Sequence, residues 1–457
     1  MESKAGSIEC KNGRRWALAI GLMAALILAA GCSSTPPEVE EEEITEQPTE
    51  SEEDDDAQEE SEADEEGDGE PSADEDHEFD GEEEVDEHVD GRIKQAMDDA
   101  RNGDVESARE ALEGLREERQ GGFVAAYNLG VLAEQQGDIE AAENLYGEAL
   151  RRHHDFTPAL INMIRMNLRQ DNVDRAREIA DAWVDARPDN LDHQAARLEI
   201  ALHQGLYEDV VEGARDLLRR DVEQVEAMLQ MATAMQRLER YELARAILVR
   251  ANQVSPDRAE VFFILGQGAW HQDNHDQARV NFRQALELNP HFAEARNNYA
   301  VLLIDSGNFD RAVEQLELAL KDEPLYAEAH VNLGNAHKAM GNYEEALSAF
   351  EEALAINDSH QAALFNLGIL FLEAPVPDMD LIERNEAAIA TFQEFRNAVG
   401  ERRANEKSVD NFINEAQATI DREEQRQEAL REAQAGGDDE PEPDDDGDDD
   451  GDSDDDS

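Results

Sequence analysis

Cysteine is nearly absent from this sequence, with only Cys10 and Cys32 in 457 residues. Two cysteines cannot supply a framework of several disulfides or a four-cysteine zinc site. The sequence also lacks the glycine-rich loops that hold phosphate, the nucleophile elbow of hydrolases and the helical zinc motif. His271 and His275, which flank one turn, come nearest to a ligand pair. We therefore expect no catalytic residues, no cofactor and no metal site, and a protein that is not an enzyme.

Positive charge is also scarce. The chain has 40 Lys and Arg residues against 111 Asp and Glu residues, which gives a net charge of −71. Residues 38–90 hold 31 acidic residues and no Lys or Arg, and residues 438–457 hold 14 acidic residues and again no base. Because proteins that bind nucleic acid need basic patches to neutralise phosphates, we expect no nucleic-acid partner.

The acidic runs predict two disordered segments, at residues 32–88 and 435–457. Such segments cannot bury enough apolar surface to fold, and their like charges keep them extended. The longer segment is either a spacer that holds the folded part away from an attachment point or a docking tail for a basic partner. Weak, non-specific association of divalent cations with the acidic segments is compatible with the same composition.

Residues 1–31 have the organisation of a secretory signal peptide. A basic start precedes Trp16–Ala30, which is a run of 15 apolar or glycine residues. As a helix this run would span about 22 Å, less than the ~30 Å hydrocarbon core of a bilayer. The short length favours a signal peptide over a membrane-spanning helix, and an uncleaved signal anchor is the alternative.

The apolar run ends in Leu28-Ala29-Ala30-Gly31-Cys32, which resembles the lipobox of bacterial lipoproteins. Ala29 departs from the commonest pattern, which has a larger aliphatic residue at that place. In this family the cysteine thiol accepts lipid, and more than one acyl chain is needed for stable attachment. The resemblance implies that Cys32 is lipidated. By the same resemblance, Ser33 in place of aspartate implies the outer membrane of a Gram-negative cell, with the folded part facing the periplasm.

A 34-residue unit, best seen in Ala259–Phe292, is repeated along the middle of the chain. Apolar residues recur there at three-to-four spacing in two sets separated by a polar turn, which predicts two helices. Steps of 34 from Gly266 fall on Gly130, Ile164, Leu198, Ala232, Ala300, Gly334 and Gly368, and steps from Ala278 fall on Ala108, Ala142, Ala176, Val210, Ala244, Ala312 and Ala346. A fixed period of this length predicts a helical solenoid, because one hairpin cannot bury both of its faces.

These residues resemble the tetratricopeptide repeat (TPR) family, most clearly at Phe262–Pro290 and Leu333–Ala353. The resemblance implies an all-α fold, a right-handed superhelical solenoid of about eight or nine helix hairpins between residues 89 and 400. Its units lie near 89–122, 123–156, 157–190, 191–224, 225–258, 259–292, 293–326, 327–360 and 361–400, and a capping helix follows at 401–434. Residues 157–224 depart most from the pattern, and we expect them to bend or loosen the superhelix. In the last unit, residues 374–381 interrupt the hairpin, either by drift or as a functional loop.

The first helix of each TPR hairpin lines the concave face, so the resemblance implies a partner-binding groove there. Asn128, Asn162, Asn298, Asn332 and Asn366 recur at one slot, where their amides can bind a peptide backbone or, alternatively, serve helix packing. The other residues that we assign to the groove or its rim are Phe263, Gln267, Trp270, His271, Asn297, Asn335, His337 and Lys338. Aromatic residues beside amides suit a helical or extended peptide. Lys338 stands nearly alone as a base, which argues against the dicarboxylate clamp of chaperone-binding TPR domains.

The lipobox and the repeats together resemble TPR lipoproteins of the bacterial envelope, such as those of adventurous gliding motility and type IV pilus assembly. The resemblance implies a scaffold at the outer membrane that binds envelope proteins through its concave face and the membrane through the lipid on Cys32. A pilotin-like or chaperone-like escort of a single envelope client is the alternative. An accessory subunit of an enzyme is the third interpretation.

Overall fold

The computed structural model describes residues 87–118 and 121–435, and all the regular structure in these ranges is helical. The signal-like segment, Cys32, most of the acidic linker and the acidic tail lie outside them. Eighteen helices form nine hairpins: α1 (Glu87–Arg101) with α2 (Val105–Arg116), α3 (Gly122–Gln135) with α4 (Ile139–Arg152), α5 (Thr157–Arg169) with α6 (Val173–Ala186), α7 (Leu191–His203) with α8 (Tyr207–Arg220), α9 (Val225–Arg237) with α10 (Tyr241–Val254), α11 (Ala259–His271) with α12 (His275–Leu288), α13 (Ala293–Asp305) with α14 (Phe309–Asp322), α15 (Ala327–Met340) with α16 (Tyr343–Ile356), and α17 (Gln361–Glu373) with α18 (Leu381–Val399). Two further helices follow, α19 (Glu401–Glu406) and α20 (Val409–Ala435).

Each of the first eight hairpins turns at a residue with a left-handed backbone. Five of these residues are glycines, which adopt positive φ without a steric penalty: Gly103, Gly137, Gly205, Gly307 and Gly341. The other three turns place a side chain in the same conformation, with φ of 60° at Asp171, 58° at Glu239 and 56° at Asp273. The turn geometry is therefore constant along the solenoid, although the residue that adopts it is not.

The two helices of a hairpin meet at a pair of positions whose volumes compensate. In α11 and α12, a methyl group added at Gly266 would lie 2.5 Å from Cε1 of the fully buried Phe282. Gly130 with Tyr146 and Gly334 with Phe350 repeat this arrangement. The same two positions hold an intermediate or inverted pair in the other hairpins: Ala96 with Leu112, Ile164 with Ala180, Leu198 with Ala214, Ala232 with Leu248, and Ala300 with Leu316. Interiors are packed to near-crystalline density, so a large residue on one helix requires a small one on the other.

This compensation accounts for the departure of residues 157–224 from the repeat pattern. Ile164 and Ala180 are both fully buried, so the inverted pair still belongs to the core. The first helices α5, α7 and α9 also pack against each other more extensively than first helices do elsewhere in the described residues. Within the third hairpin, and within the fourth, the two helices contact each other less extensively than the two helices of any other hairpin in the described residues. The packing of this stretch therefore differs from that of the rest of the solenoid.

The ninth hairpin contains the inserted segment, and its core pair survives the insertion. A methyl group added at Gly368 would lie 2.8 Å from Cε1 of Phe392, so these residues meet as Gly266 and Phe282 do. Ala374 and Val376 of the insertion are buried in the same cluster. The insertion is therefore packed against the hairpin.

The C-terminal cap is two helices, where we expected one continuous helix over residues 401–434. The chain turns at Ser408, which has a φ of 57°, and α20 then packs against α18. Val409, Ala416 and Ile420 are buried, as the apolar stripe of this segment requires. No helix in residues 87–118 or 121–435 has the length and hydropathy needed to cross a bilayer.

The hairpins stack so that first helices of successive hairpins contact each other at most steps. We call the surface that these first helices form the inner side, after the concave face that the resemblance implies. The stack also curves back on itself. Arg101, at the end of α1, donates from Nε to Oδ1 of Asp322 over 2.8 Å. Gln135, at the end of α3, donates from Nε2 to the main-chain oxygen of Asp322 over 2.6 Å. The first two hairpins therefore touch the seventh.

Candidate partner-binding surface

The inner surface is crossed by ion pairs that join one hairpin to the next. Arg165 on α5 makes two hydrogen bonds to the carboxylate of Glu199 on α7, at 2.8 and 2.6 Å. Gln230 on α9 donates to the same carboxylate at 3.1 Å. Glu199 raises the pKa of Arg165, with smaller contributions from Glu226 and Glu294. Three first helices thus share one charged network.

A second network lies at the start of the first helices. Arg258 pairs with Glu226 at 3.0 Å and with Glu260 at 3.2 Å, and so links the fifth and sixth hairpins. Burial raises the pKa of Glu226, and the guanidinium of Arg258 opposes that shift. Glu226, Glu260, Glu294 and Glu328 recur at steps of 34 residues. This periodic acid is the signal that could have revealed the network from the sequence, and our sequence reasoning missed it.

Two of the five recurring asparagines form hydrogen bonds between hairpins. Asn162 donates to the hydroxyl of Tyr127 at 3.1 Å, and Asn332 donates to Oδ1 of the buried Asn297 at 2.8 Å. Asn128 instead donates to the carbonyl of Val124 in its own helix, at 2.8 Å. These bonds favour the packing interpretation of the slot. The remaining assigned amides are the half-buried Asn298, which accepts from Asn297 at 3.4 Å, the half-buried Asn366 and the buried Asn335.

The assigned aromatic residues belong largely to the core. The ring centroid of Phe263 lies 4.8 Å from that of Phe292 and 6.0 Å from that of Phe282. Trp270 meets Phe282 edge to face at 6.4 Å. Both Phe263 and Trp270 remain half-buried, as does Gln267 of the same helix. These three side chains are the partly accessible surface of α11 on this side.

The assigned basic residues lie in three different settings. His271 stacks on Tyr241 at 6.4 Å between ring centroids. Partial desolvation by the neighbouring groups lowers its pKa, and the charge of Arg237 adds to that shift. Burial also lowers the pKa of Lys338, against the charge of Glu373. His337 lines an open pocket of about 560 Å³ between α15 and α16, together with His330, Leu333, Glu344, Glu345, Ser348, Ala349 and Glu352. His271, at the end of α11, is therefore separated by two hairpins from His337 and Lys338, which are consecutive residues of α15.

Residues 87–118 and 121–435 contain no group of three or more His, Cys, Asp or Glu side chains placed to hold a metal ion. His271 and His275, the one pair singled out in the sequence, lie at the two ends of the turn between α11 and α12.

Family models confirm what these hairpins are. One tetratricopeptide repeat model matches residues 133–200 and 269–333, a second matches 327–360 and a third matches 93–158. The hairpins within residues 93–200 and 269–360 are tetratricopeptide repeats. These matches agree with the all-helical solenoid expected from the 34-residue period. TPR folds typically act as protein-interaction modules.

Several solved structures of TPR proteins resemble this one. A thermophilic TPR protein of Thermus thermophilus is 20% identical, with a TM-score of 0.35, over 39% of this chain and 98% of its own. A tetratricopeptide repeat protein of Parabacteroides merdae is 16% identical, with a TM-score of 0.37, over 57% of this chain and 98% of its own. PilF of Pseudomonas aeruginosa is 20% identical, with a TM-score of 0.35, over 45% of this chain and 94% of its own.

Proposed function

We propose that this TPR protein is a non-enzymatic scaffold that binds envelope proteins along its inner surface. A lipid on Cys32 holds it at the outer membrane, and the acidic residues 32–88 space the repeats from the bilayer. The observation that carries the proposal is the array of nine successive helix hairpins, which offers one long surface to protein partners.

The partner assembly is an envelope machine, either a gliding-motility complex or a type IV pilus or secretion complex. This part of the proposal rests on the combination of a lipobox-like sequence at Leu28–Cys32 with the repeats. A scaffold of this kind holds several proteins in one standing complex. An escort factor would instead hold one client, and this difference separates the two functions experimentally.

Replacing Cys32 by alanine tests the membrane attachment. The Cys32→Ala variant should leave the membrane fraction and appear in the soluble fraction, because the acceptor thiol is lost. Cys10→Ala is the matched control, since Cys10 lies in the segment that signal cleavage removes. Retention of Cys32→Ala in the membrane fraction would remove the lipoprotein assignment.

Photo-crosslinking in living cells tests the binding surface. A photoreactive residue in place of the half-buried Gln267 samples the inner side, and one in place of Val280, which is 57% exposed on the second helix α12, samples the outer side. We expect the position at 267 to capture several identified envelope proteins and the position at 280 to capture fewer. Capture of one client alone would favour the escort function, and equal capture from both positions would contradict inner-surface binding.

A further inference from the structure

Hairpins far apart in the chain meet at a seam, which we define as Arg101, Gln135 and Gly137 facing Asp322 and Leu325. The partners in its two hydrogen bonds are 221 and 187 residues apart. The carboxylate of Asp322 also lies 3.0 Å from Nδ1 of His291, and its side chain is only 9% exposed. The seam is therefore built around one nearly buried carboxylate.

Further contacts surround that carboxylate. Leu325 lies over the turn of the second hairpin, where a methyl group added at Gly137 would be 3.9 Å from its Cδ1. Arg169, at the end of α5, pairs with Glu134 and faces Glu323. The third hairpin thus adds charge to the seam between the first two hairpins and the seventh.

The seam changes the shape of the inner surface. Contact between the first hairpins and the seventh means that the solenoid completes about one superhelical turn between them. Glu294 and Glu226, on hairpins 7 and 5, contribute to the raised pKa of Arg165 on hairpin 3, which agrees with this curvature. With the seam closed, the gap between the first two hairpins and the seventh is shut at these contacts, which leaves the two ends of the stack as the routes to the inner surface of hairpins 1–7.

We propose that the seam is a latch that controls access to the inner surface of this solenoid. With the latch closed, an extended segment can enter along the axis, whereas a folded partner reaches the inner surface only after the seam opens. The latch follows from the seam contacts, and its control over a protein partner rests on the function proposed above.

Spin labels beside the seam test whether the latch closes. In the full chain with Cys10→Ser and Cys32→Ser, labels are placed at the exposed Asn102 and Lys321, next to Arg101 and Asp322. The distances between the labels at positions 102 and 321 should form a single short population. Asp322→Ala should shift most of that population to longer distances, because it removes the acceptor of Arg101.

Glu226→Gln is the matched control for this experiment. It removes a comparable ion pair with Arg258 at 3.0 Å, but between neighbouring hairpins, so the short distance should persist. A long, broad distribution in the unaltered seam would overturn the latch. A short distance that survives Asp322→Ala would overturn the role of Asp322.

A chemical probe tests access without any partner. A single cysteine at position 267 is treated with N-ethylmaleimide or with a maleimide carried on polyethylene glycol. Asp322→Ala should speed modification by the large reagent several-fold and leave the small reagent unaffected. A cysteine at position 280 on the outer side should show no such difference. Equal rates for the large reagent with and without Asp322→Ala would refute control of access, whatever the outcome of the partner crosslinking.

Discussion

Three hairpin turns place a side chain where the backbone geometry favours glycine. L-residues in the left-handed region bring Cβ close to the following carbonyl oxygen, which costs roughly 1–2 kcal/mol. Aspartate at positions 171 and 273 tolerates this conformation better than most residues do, because its short polar side chain can hydrogen-bond locally. Glu239 has a longer side chain and the same backbone, with a φ of 58°. It is therefore the most strained of the three turn residues.

Glu239→Gly should stabilise the protein by about 1 kcal/mol, since it removes the Cβ that the left-handed backbone disfavours. The free energy of unfolding in urea measures the effect. Gly307→Ala is the opposite control, because Gly307 occupies the same slot with a φ of 75° and should lose a similar amount when it gains a Cβ. A loss of stability in Glu239→Gly would contradict the assigned strain.

Because the two facing residues of a hairpin fill one space, we expect the stability effects of substitutions at these two positions to be coupled. Gly266→Ala should destabilise the protein by about 1–3 kcal/mol, because the new methyl group overlaps the buried ring of Phe282. Adding Phe282→Leu creates the combination that Ala300 and Leu316 already form in the next hairpin. The double variant should therefore lose less stability than the sum of the two single variants. Additive losses in a double-mutant cycle would mean that the pair does not compensate.

At the scale of single elements, the start of α18 shows how an insertion can be accommodated. Asp380 accepts hydrogen bonds from the main-chain nitrogens of Ile382 and Glu383, at 2.8 and 2.9 Å. The carboxylate of Glu383 accepts in return from the main-chain nitrogen of Asp380, at 2.9 Å. This capping box restarts the helix after the two prolines of the insertion have ended the preceding one.

Asp380→Ala should lower the free energy of unfolding by about 1 kcal/mol, because the first turn of α18 loses its acceptor. Asn342→Ala is the matched control: Asn342 also precedes a second helix, but its side chain makes no capping hydrogen bond. We expect the control to change stability by less than about 0.5 kcal/mol. Equal effects at both positions, measured by denaturant unfolding, would show that the capping box does not stabilise the insertion.

At the scale of the whole molecule, the seam contains an acid with a strongly shifted pKa. Burial is the largest cause of a rise in the pKa of Glu323 from an ordinary 4.5 to about 8. The nearby carboxylates of Glu294, Glu134 and Asp322 also raise this pKa, and the charge of Arg169 lowers it. Arg101 and His291 also face this cluster, through their bonds to Asp322. Glu134 and Arg169 come from the opposite side of the seam, so opening it removes part of the shift.

The closed seam should therefore weaken as the pH rises. Between pH 4.5 and about 8, Glu323 binds more protons in the closed state than in the open one, so closure loses at most about 1.4 kcal/mol per pH unit. Protonation of Glu323 stabilises the closed seam. That stabilisation is present at the acidic end of this window and is lost as the pH approaches 8. The short-distance fraction between labels at positions 102 and 321 should fall from pH 5.5 to pH 8.5. Glu323→Gln should flatten that dependence, and an unchanged dependence would assign it to another group.

The parts of this structure that the sequence predicted are those set within one hairpin. Gly266, Ala278 and Phe282 recur because every unit must solve the same packing problem, so a period of 34 residues reveals them. The packing role of Asn162 and Asn332 was one of two open interpretations, because an amide can bond to a neighbouring helix or to a ligand. Only the positions of Tyr127 and Asn297 decide between them.

The seam could not be predicted in this way. Whether Arg101 reaches Asp322 depends on the small rotation between each hairpin and the next, summed over six steps. No local pattern in the sequence encodes that sum. The same holds for the influence of Glu294, on hairpin 7, on Arg165. Partners in neighbouring hairpins follow the 34-residue period, as Glu199 does for Arg165, whereas partners in distant hairpins do not.

A seam between the first two hairpins and the seventh also alters how the molecule carries mechanical load. An open solenoid behaves as a spring, because a pull on its ends is shared by every interface between hairpins. Here the hydrogen bonds of Arg101 and Gln135 to Asp322 bypass the intervening hairpins. A pull between α1 and α14 is therefore resisted first at Asp322, and extension of the five bridged hairpins begins only after that contact has broken. This part of the protein is stiff under a weak pull and compliant under a strong one.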